Sequence, residues 1–188
     1  MRTARYAVAM LLVFIAGCTP TKDDIYNALP AVGAAIPEFR YPSVDGTVVT
    51  PASLRGQPAV IALWSTTCSA SRLALASLGA LDKEYRARGA RVVILADDQD
   101  RTAVVTTLAR AGVSTPVAIG SRTLIDTFTH GQSALPWRKA FALPTFLVLD
   151  RTGRVVFRQI GIERDPSHQL QDVRAALDRL VRERTPPA

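Results

Sequence analysis

A mixed α/β fold, one β-sheet with helices on both faces, is the fold class this sequence predicts, and three observations predict it. Apolar runs at Ala59–Leu63, Val92–Ala96 and Thr145–Leu149 have the length of strands and the unbroken hydrophobicity of strands buried on both faces. Other segments repeat their apolar residues at three- and four-residue spacing, the signature of a helix with one buried stripe. The two kinds of segment alternate along the chain and end in a hairpin and a helix, an order that belongs to a layered α/β sheet.

Each element follows in turn. Phe39–Tyr41 and Thr47–Val49 flank Asp45-Gly46, a hairpin turn signal. Pro51–Leu54 reads as one helical turn, closed by Gly56. Ala59–Leu63 is the first buried strand. A helix over Ser69–Arg88 carries Leu75, Leu78, Leu81 and Tyr85 on one stripe and stops at Gly89. Val92–Ala96 is the next strand, and Arg101–Ala111 a helix with Val104, Val105 and Leu108 inward and Gly112 as its stop. Pro116–Ile119 is a short strand. Ser121 caps a short helix that runs to Phe128. Thr145–Leu149 and Arg154–Gln159 are joined by a turn over Asp150–Gly153. Asp165-Pro166 caps a last helix with Leu170, Val173, Leu177 and Leu180 at helical spacing.

The N-terminus has a separate logic. Arg2 and Arg5 precede twelve uncharged residues, Tyr6–Gly17. That is too short to span a bilayer, which takes about 20 residues, and it suits the apolar region of a signal peptide. Ile15-Ala16-Gly17-Cys18 resembles the lipobox of bacterial lipoproteins, which implies acylation of Cys18. The expected organisation is a signal peptide at 1–17, a lipidated tether at 18–37, one domain at 38–182 and a tail at 183–188. The location expected from it is the bacterial cell envelope, on the periplasmic side of a membrane, with Thr19 after the lipidated residue favouring the outer one.

Composition bounds the partners. The 188 residues carry a formal charge of +7, and 48% of them are hydrophobic, enough for a sizeable core. The basic residues are scattered and do not alternate with aromatics, so no nucleic-acid partner is expected. The chain has two cysteines. With Cys18 acylated, Cys68 has no partner for an internal disulfide. Cys68 lies in Trp64-Ser65-Thr66-Thr67-Cys68-Ser69-Ala70-Ser71, at a strand-to-helix junction. There the N–H groups and dipole of the helix favour the thiolate, which is the nucleophile.

These elements resemble the thioredoxin superfamily, in particular the TlpA-like membrane-tethered thiol–disulfide oxidoreductases. The resemblance spans Ile36 to Leu180 and rests on Pro37-Glu38-Phe39 with Asp45-Gly46, Leu54–Pro58, Trp64 four residues before Cys68, and Leu143-Pro144 leading into Thr145–Asp150 and Gly153. It implies a thioredoxin-like fold and Cys68 as the nucleophile. It also implies a cis Pro144 facing Cys68, with the N–H and C=O of Leu143 free to pair with an extended peptide. Trp64, Thr67, Leu143 and Pro144 are then the substrate-contacting set. The expected substrates are an exported protein disulfide or a small thiol or disulfide, with no cofactor and no metal.

The departures narrow the chemistry. Ser71 stands where a resolving cysteine would stand, and Ala74 where many relatives carry an acid six residues after the first cysteine. Ser71 cannot resolve a mixed disulfide, but its hydroxyl can hydrogen-bond the Cys68 thiolate. The expected activity is monothiol exchange resolved by an external thiol. A non-enzymatic peptide-binding module is one alternative. A peroxidase of the peroxiredoxin branch is another: Ser65 lies three residues before Cys68, but Ile61 stands where those enzymes carry proline. Copper delivery would want two cysteines and a histidine, and the chain has His130 and His168 alone.

Overall fold

The strand that ends at the cysteine loop is the central one. The computed structural model describes residues 22–121, 123–129, 142–163, 165 and 168–183. Its elements are α1 (Lys22–Ala28), β1 (Tyr41–Pro42), β2 (Val48–Val49), a 3-10 turn (Ala52–Leu54), β3 (Ala59–Trp64), α2 (Ser69–Arg86), β4 (Arg91–Ala96), α3 (Arg101–Arg110), β5 (Val117–Ile119), α4 (Thr123–Phe128), β6 (Thr145–Leu149), β7 (Val155–Ile160) and α5 (Gln171–Arg182). The main sheet has the order β5-β4-β3-β6-β7. β3 pairs parallel to β4, from Ala59↔Arg91 to Trp64↔Ala96. On its other edge it pairs antiparallel to β6, from Ala59↔Leu149 to Leu63↔Thr145. β1 and β2 form a separate hairpin, whose turn needs Gly46 at φ 88°.

Alternation along the strands builds two cores. Val60, Ala62 and Trp64, with Val92 and Ile94, face the layer that holds Leu75, Leu78 and Leu81 of α2, Val104 of α3 and Val173 and Leu177 of α5. Ala59, Ile61 and Leu63, with Val93, Leu147 and Leu149, face Leu124 and Phe128 of α4 and the N-terminal residues Leu29, Ile36, Phe39 and Tyr41. Both faces of the sheet are covered, the thioredoxin-like arrangement expected from the unbroken apolar runs.

Three details differ from the expectation. The segment read as a tether is packed against the domain from α1 onward: Val155 and Gly33–Ala34 exchange backbone bonds of 2.7 and 2.9 Å. The Arg158 guanidinium donates to the carbonyls of Tyr26, Leu29 and Pro30 and lies 5.6 Å from the Tyr26 ring. It thereby gathers carbonyls at the end of α1, of which that of Tyr26 also accepts from Leu29 N–H at 3.3 Å. The last helix begins at Gln171 instead of at Asp165, because Leu170 sits in the left-handed region at φ 63° and blocks an earlier start. Asp165 pairs with His168, and Pro166 lies outside the described residues. The short helix starts at Thr123, two residues beyond Ser121, and the Thr123 hydroxyl bonds back to Gly120 O.

Residues 1–21, with the expected signal peptide and Cys18, lie outside the described residues, as does His130. Among the described residues no helix is long and apolar enough to cross a membrane.

Candidate active site

Cys68 is the N-cap of α2, the eighteen-residue helix that follows the central strand. Its backbone is extended (φ −86°, ψ 120°), so the chain leaves β3, turns through Ser65-Thr66-Thr67 and enters the helix with the sulfur at its positive end. The side chain is partly exposed. Burial pushes the thiol up, but the Ser71 hydroxyl, the backbone N–H groups of Ser71 and Ala70, and the charge of Arg72 together outweigh it and bring the Cys68 pKa below that of an ordinary cysteine.

Ser71 is where the sequence placed it, on the first turn, but it is fully buried. Its neighbours on the helix stripe, Leu75 and Leu78, fix that position at helical spacing. Its hydroxyl has no hydrogen-bond partner in the structure, which leaves it available to donate to a Cys68 thiolate. Trp64 is also fully buried, and its indole Nε1–H donates to the Ser71 carbonyl at 2.7 Å. This corrects the place of Trp64 in the substrate-contacting set that the resemblance implies. The inward-facing register of β3 turns the ring into the core, where it braces the first turn of α2. Thr67, by contrast, is exposed beside the cysteine.

The other wall comes from the start of β6. The Leu143–Pro144 peptide is cis, and the Cys68 Sγ–H donates to the Leu143 carbonyl at 3.4 Å. Pro144 is buried, and its own carbonyl accepts from Gly161 N–H at 2.7 Å. The structure thus brings Cys68, Ser71, Thr67, Leu143 and Pro144 together. It also shows that the Leu143 carbonyl is not free in the thiol state, because the sulfur occupies it.

The sequence did not point to Asp98. This buried carboxylate, two residues beyond β4, accepts from the Thr66 backbone N–H at 3.0 Å, from the Thr66 hydroxyl, and from Ser65 Oγ at 3.5 Å. The Thr66 carbonyl in turn accepts from Arg72 Nη1 at 2.7 Å. Two adjacent acids, Asp97-Asp98, at the carboxyl end of a buried strand were the available signal. Burial, and then the neighbouring charge of Asp98, raise Asp97. The Ser65 hydroxyl, the feature that admitted a peroxidase, lies 2.9 Å from Thr67 Oγ1 and also faces Asp98. Among the described residues no group of His, Cys, Asp and Glu is arranged to hold a metal.

Known proteins resemble this chain in sequence and in fold. The Redoxin family matches residues 31–177. The thiol-disulfide oxidoreductase ResA of Bacillus thuringiensis is 25% identical over 131 residues, covering 69% of this chain and 70% of its own, and that of Bacillus anthracis is equally similar. Among solved structures, a putative thiol:disulfide interchange protein DsbE from Chlorobium tepidum superposes with a TM-score of 0.64 at 23% identity, covering 79% of this chain and 99% of its own. A secreted disulfide oxidoreductase of Mycobacterium tuberculosis does so with a TM-score of 0.57 at 19% identity, covering 74% and 96%. A sheet ordered 5-4-3-6-7 with a cysteine capping the helix after its central strand, matched over residues 31–177, makes this chain a member of the Redoxin family.

Proposed function

We propose that this protein is a thiol–disulfide oxidoreductase that works through Cys68 alone, on the periplasmic side of a membrane to which an acylated Cys18 holds it. The observation that carries the proposal is the Cys68 sulfur at the N-terminus of α2, 3.4 Å from a carbonyl at the start of β6. The Cys68 thiolate attacks one sulfur of a partner disulfide. An S–S bond forms between Cys68 and that sulfur, and the other partner sulfur leaves as a thiolate. Once deprotonated, Cys68 has no hydrogen to give Leu143, so that carbonyl opens to a backbone N–H of the partner. Ser71 cannot attack the mixed disulfide. An external thiolate does so, leaving with the partner's sulfur in a new disulfide and returning Cys68 as thiolate. Export is supported by the N-terminal sequence and by the similarity to the secreted Mycobacterium tuberculosis protein.

Non-reducing gels of membrane fractions test the proposal. Adducts that disappear on reduction and in Cys68→Ala are expected. Ser71→Cys is expected to shorten their lifetime and to create insulin-reducing activity, because an intramolecular thiol one helical turn away acts at high effective concentration. Wild-type fractions with no Cys68-dependent adduct would refute the exchange chemistry. A free, unmodified Cys18 thiol in the mature chain would refute the anchor.

A further inference from the structure

Thr66 is held from two sides. Asp98 takes both its backbone N–H, at 3.0 Å, and its hydroxyl, while Arg72 donates to its carbonyl at 2.7 Å. Arg72 is exposed, and a free arginine side chain carries about 2 kcal/mol of rotamer entropy, so an unanchored guanidinium would spend most of its time elsewhere. Thr66 is two residues before Cys68, and the loop between them is tied further by Thr67 N–H to Ser65 Oγ at 3.2 Å and Cys68 N–H to Ser65 O at 3.4 Å.

We infer that Asp98 is a positioning residue of the Cys68 site: its carboxylate fixes Thr66 so that the Thr66 carbonyl keeps the Arg72 guanidinium within electrostatic reach of the sulfur. The inference takes from the proposed exchange reaction only the identity of the reacting atom. Among the described residues, the charged groups nearest Cys68 along the framing elements are Arg72 on the first turns of α2 and Asp97 and Asp98 just beyond β4; Glu163 beyond β7 bonds Gln159 and Leu170, and the other charges of α2, Asp82, Lys83, Glu84 and Arg86, lie on its last turns. The β6 side contributes the Leu143 carbonyl.

The sign of the effect separates positioning from simple charge. Removing an anion from the neighbourhood of a thiol favours the thiolate, so a carboxylate that acts only through its charge would make Cys68 more reactive when deleted. A carboxylate that holds Arg72 in place would make it less reactive. The test is the rate of Cys68 alkylation by iodoacetamide as a function of pH in the full chain. For Asp98→Ala a roughly threefold loss of rate at pH 7 is expected, the scale of one partly exposed ion pair, with the rate profile moved to higher pH. Asp98→Asn keeps an acceptor for Thr66 and should retain the wild-type rate or exceed it. An Asp98→Ala profile that is unchanged, or moved to lower pH, overturns the inference, whatever happens to the melting temperature. Should Asp98→Ala fail to fold, Thr66→Val removes one of the same bonds. Its loss of rate should be smaller and should vanish in an Arg72→Gln background, and a loss that persists there overturns the inference as well. Adduct formation with a partner disulfide, followed in parallel, distinguishes the two claims. Adducts with no Asp98 effect would sink the positioning role alone, and an Asp98 effect without adducts would sink the exchange reaction alone.

Discussion

Replacing Ser71 by Ala should exchange reactivity for stability, with a sign that depends on pH. The hydroxyl is buried and unpaired in the thiol state, and an unsatisfied buried hydroxyl costs about 1–3 kcal/mol. Removing it leaves a gap of one oxygen atom, which offsets part of that gain. At pH 5, on the side that favours the thiol, Ser71→Ala should therefore be more stable by about 1 kcal/mol, a rise of roughly 2–4 °C in Tm for a domain of this size. The thiolate reverses the balance. Its hydrogen bond from Ser71 is one to a charged acceptor, about 1.5 kcal/mol at the low end, so the variant should lose roughly tenfold in thiolate at neutral pH. Because the folded Cys68 pKa is depressed, its contribution to stability is fully present above the unfolded value of about 8.5 and is lost as pH falls through the folded value. The advantage of the variant at acidic pH should thus turn into a deficit of about half a kcal/mol by pH 9.5. Thermal melts at the two pH values, together with alkylation rates across the same range, measure both halves. An equal stability difference at pH 5 and 9.5, or an alkylation profile that Ser71→Ala leaves in place, would refute the account of Ser71 as the donor to the thiolate.

Two predictions concern the frame of the site. Arg158→Ala removes the group that gathers the carbonyls of Tyr26, Leu29 and Pro30; limited proteolysis should then cut between residues 22 and 36 at protease levels that leave the wild type intact, and equal resistance would show that the buried Leu29 and Ile36 hold the segment without it. Tyr85→Phe removes the bonds from the phenol to Asp178 at 2.8 Å and to the Arg174 carbonyl at 3.1 Å, at a cost of about 1–2 kcal/mol in denaturant melts. Burial, and then Asp178, raise the Tyr85 pKa to about 12. The contribution of this phenol is therefore complete below the unfolded value of about 10 and is lost as pH rises from there through 12, and a Tyr85→Phe difference that did not fade between those values would contradict the assignment.

Strand and helix identity was legible because burial on two faces and burial on one stripe leave different periods in a sequence. The runs at Ala59–Leu63 and Thr145–Leu149, and the stripe from Leu75 to Tyr85, appear in the structure as read. The start of α5 was not legible. Asp165-Pro166 has the chemistry of a cap, but the helix waits for Leu170, a non-glycine residue in the left-handed region. That conformation costs about 1–2 kcal/mol, and what offsets it is the complete burial of the Leu170 side chain and the bond from its N–H to Glu163 Oε2 at 3.2 Å. Both are tertiary, so no local pattern announces them. Trp64 fails to read for a related reason. An aromatic at a strand end can face a groove or the core, and the choice is made by register, through the pairing of Trp64 with Ala96. Asp98 was missed because its partners lie 32 and 33 positions away in the chain.

The two halves of the site are therefore separable by mutation, because they come from different ranges of the chain. What makes the sulfur reactive is local: the helix N–H groups of Ala70 and Ser71, the Ser71 hydroxyl and Arg72 all lie within four residues of Cys68. What faces the sulfur is remote. The Leu143 carbonyl is 75 positions away and reaches Cys68 only because β6 pairs antiparallel with β3. Changes at Ser71 or Arg72, or at Asp98, which acts on the sulfur only through Thr66 and Arg72, should then alter alkylation and adduct formation in proportion, since both need the thiolate. Changes at the exposed Thr67, next to Cys68 in the loop, should leave alkylation by a small reagent near the wild-type rate while shifting the range of disulfides captured. A Thr67 variant that slowed both alike would place Thr67 with the local, thiolate-forming half and would undo the division.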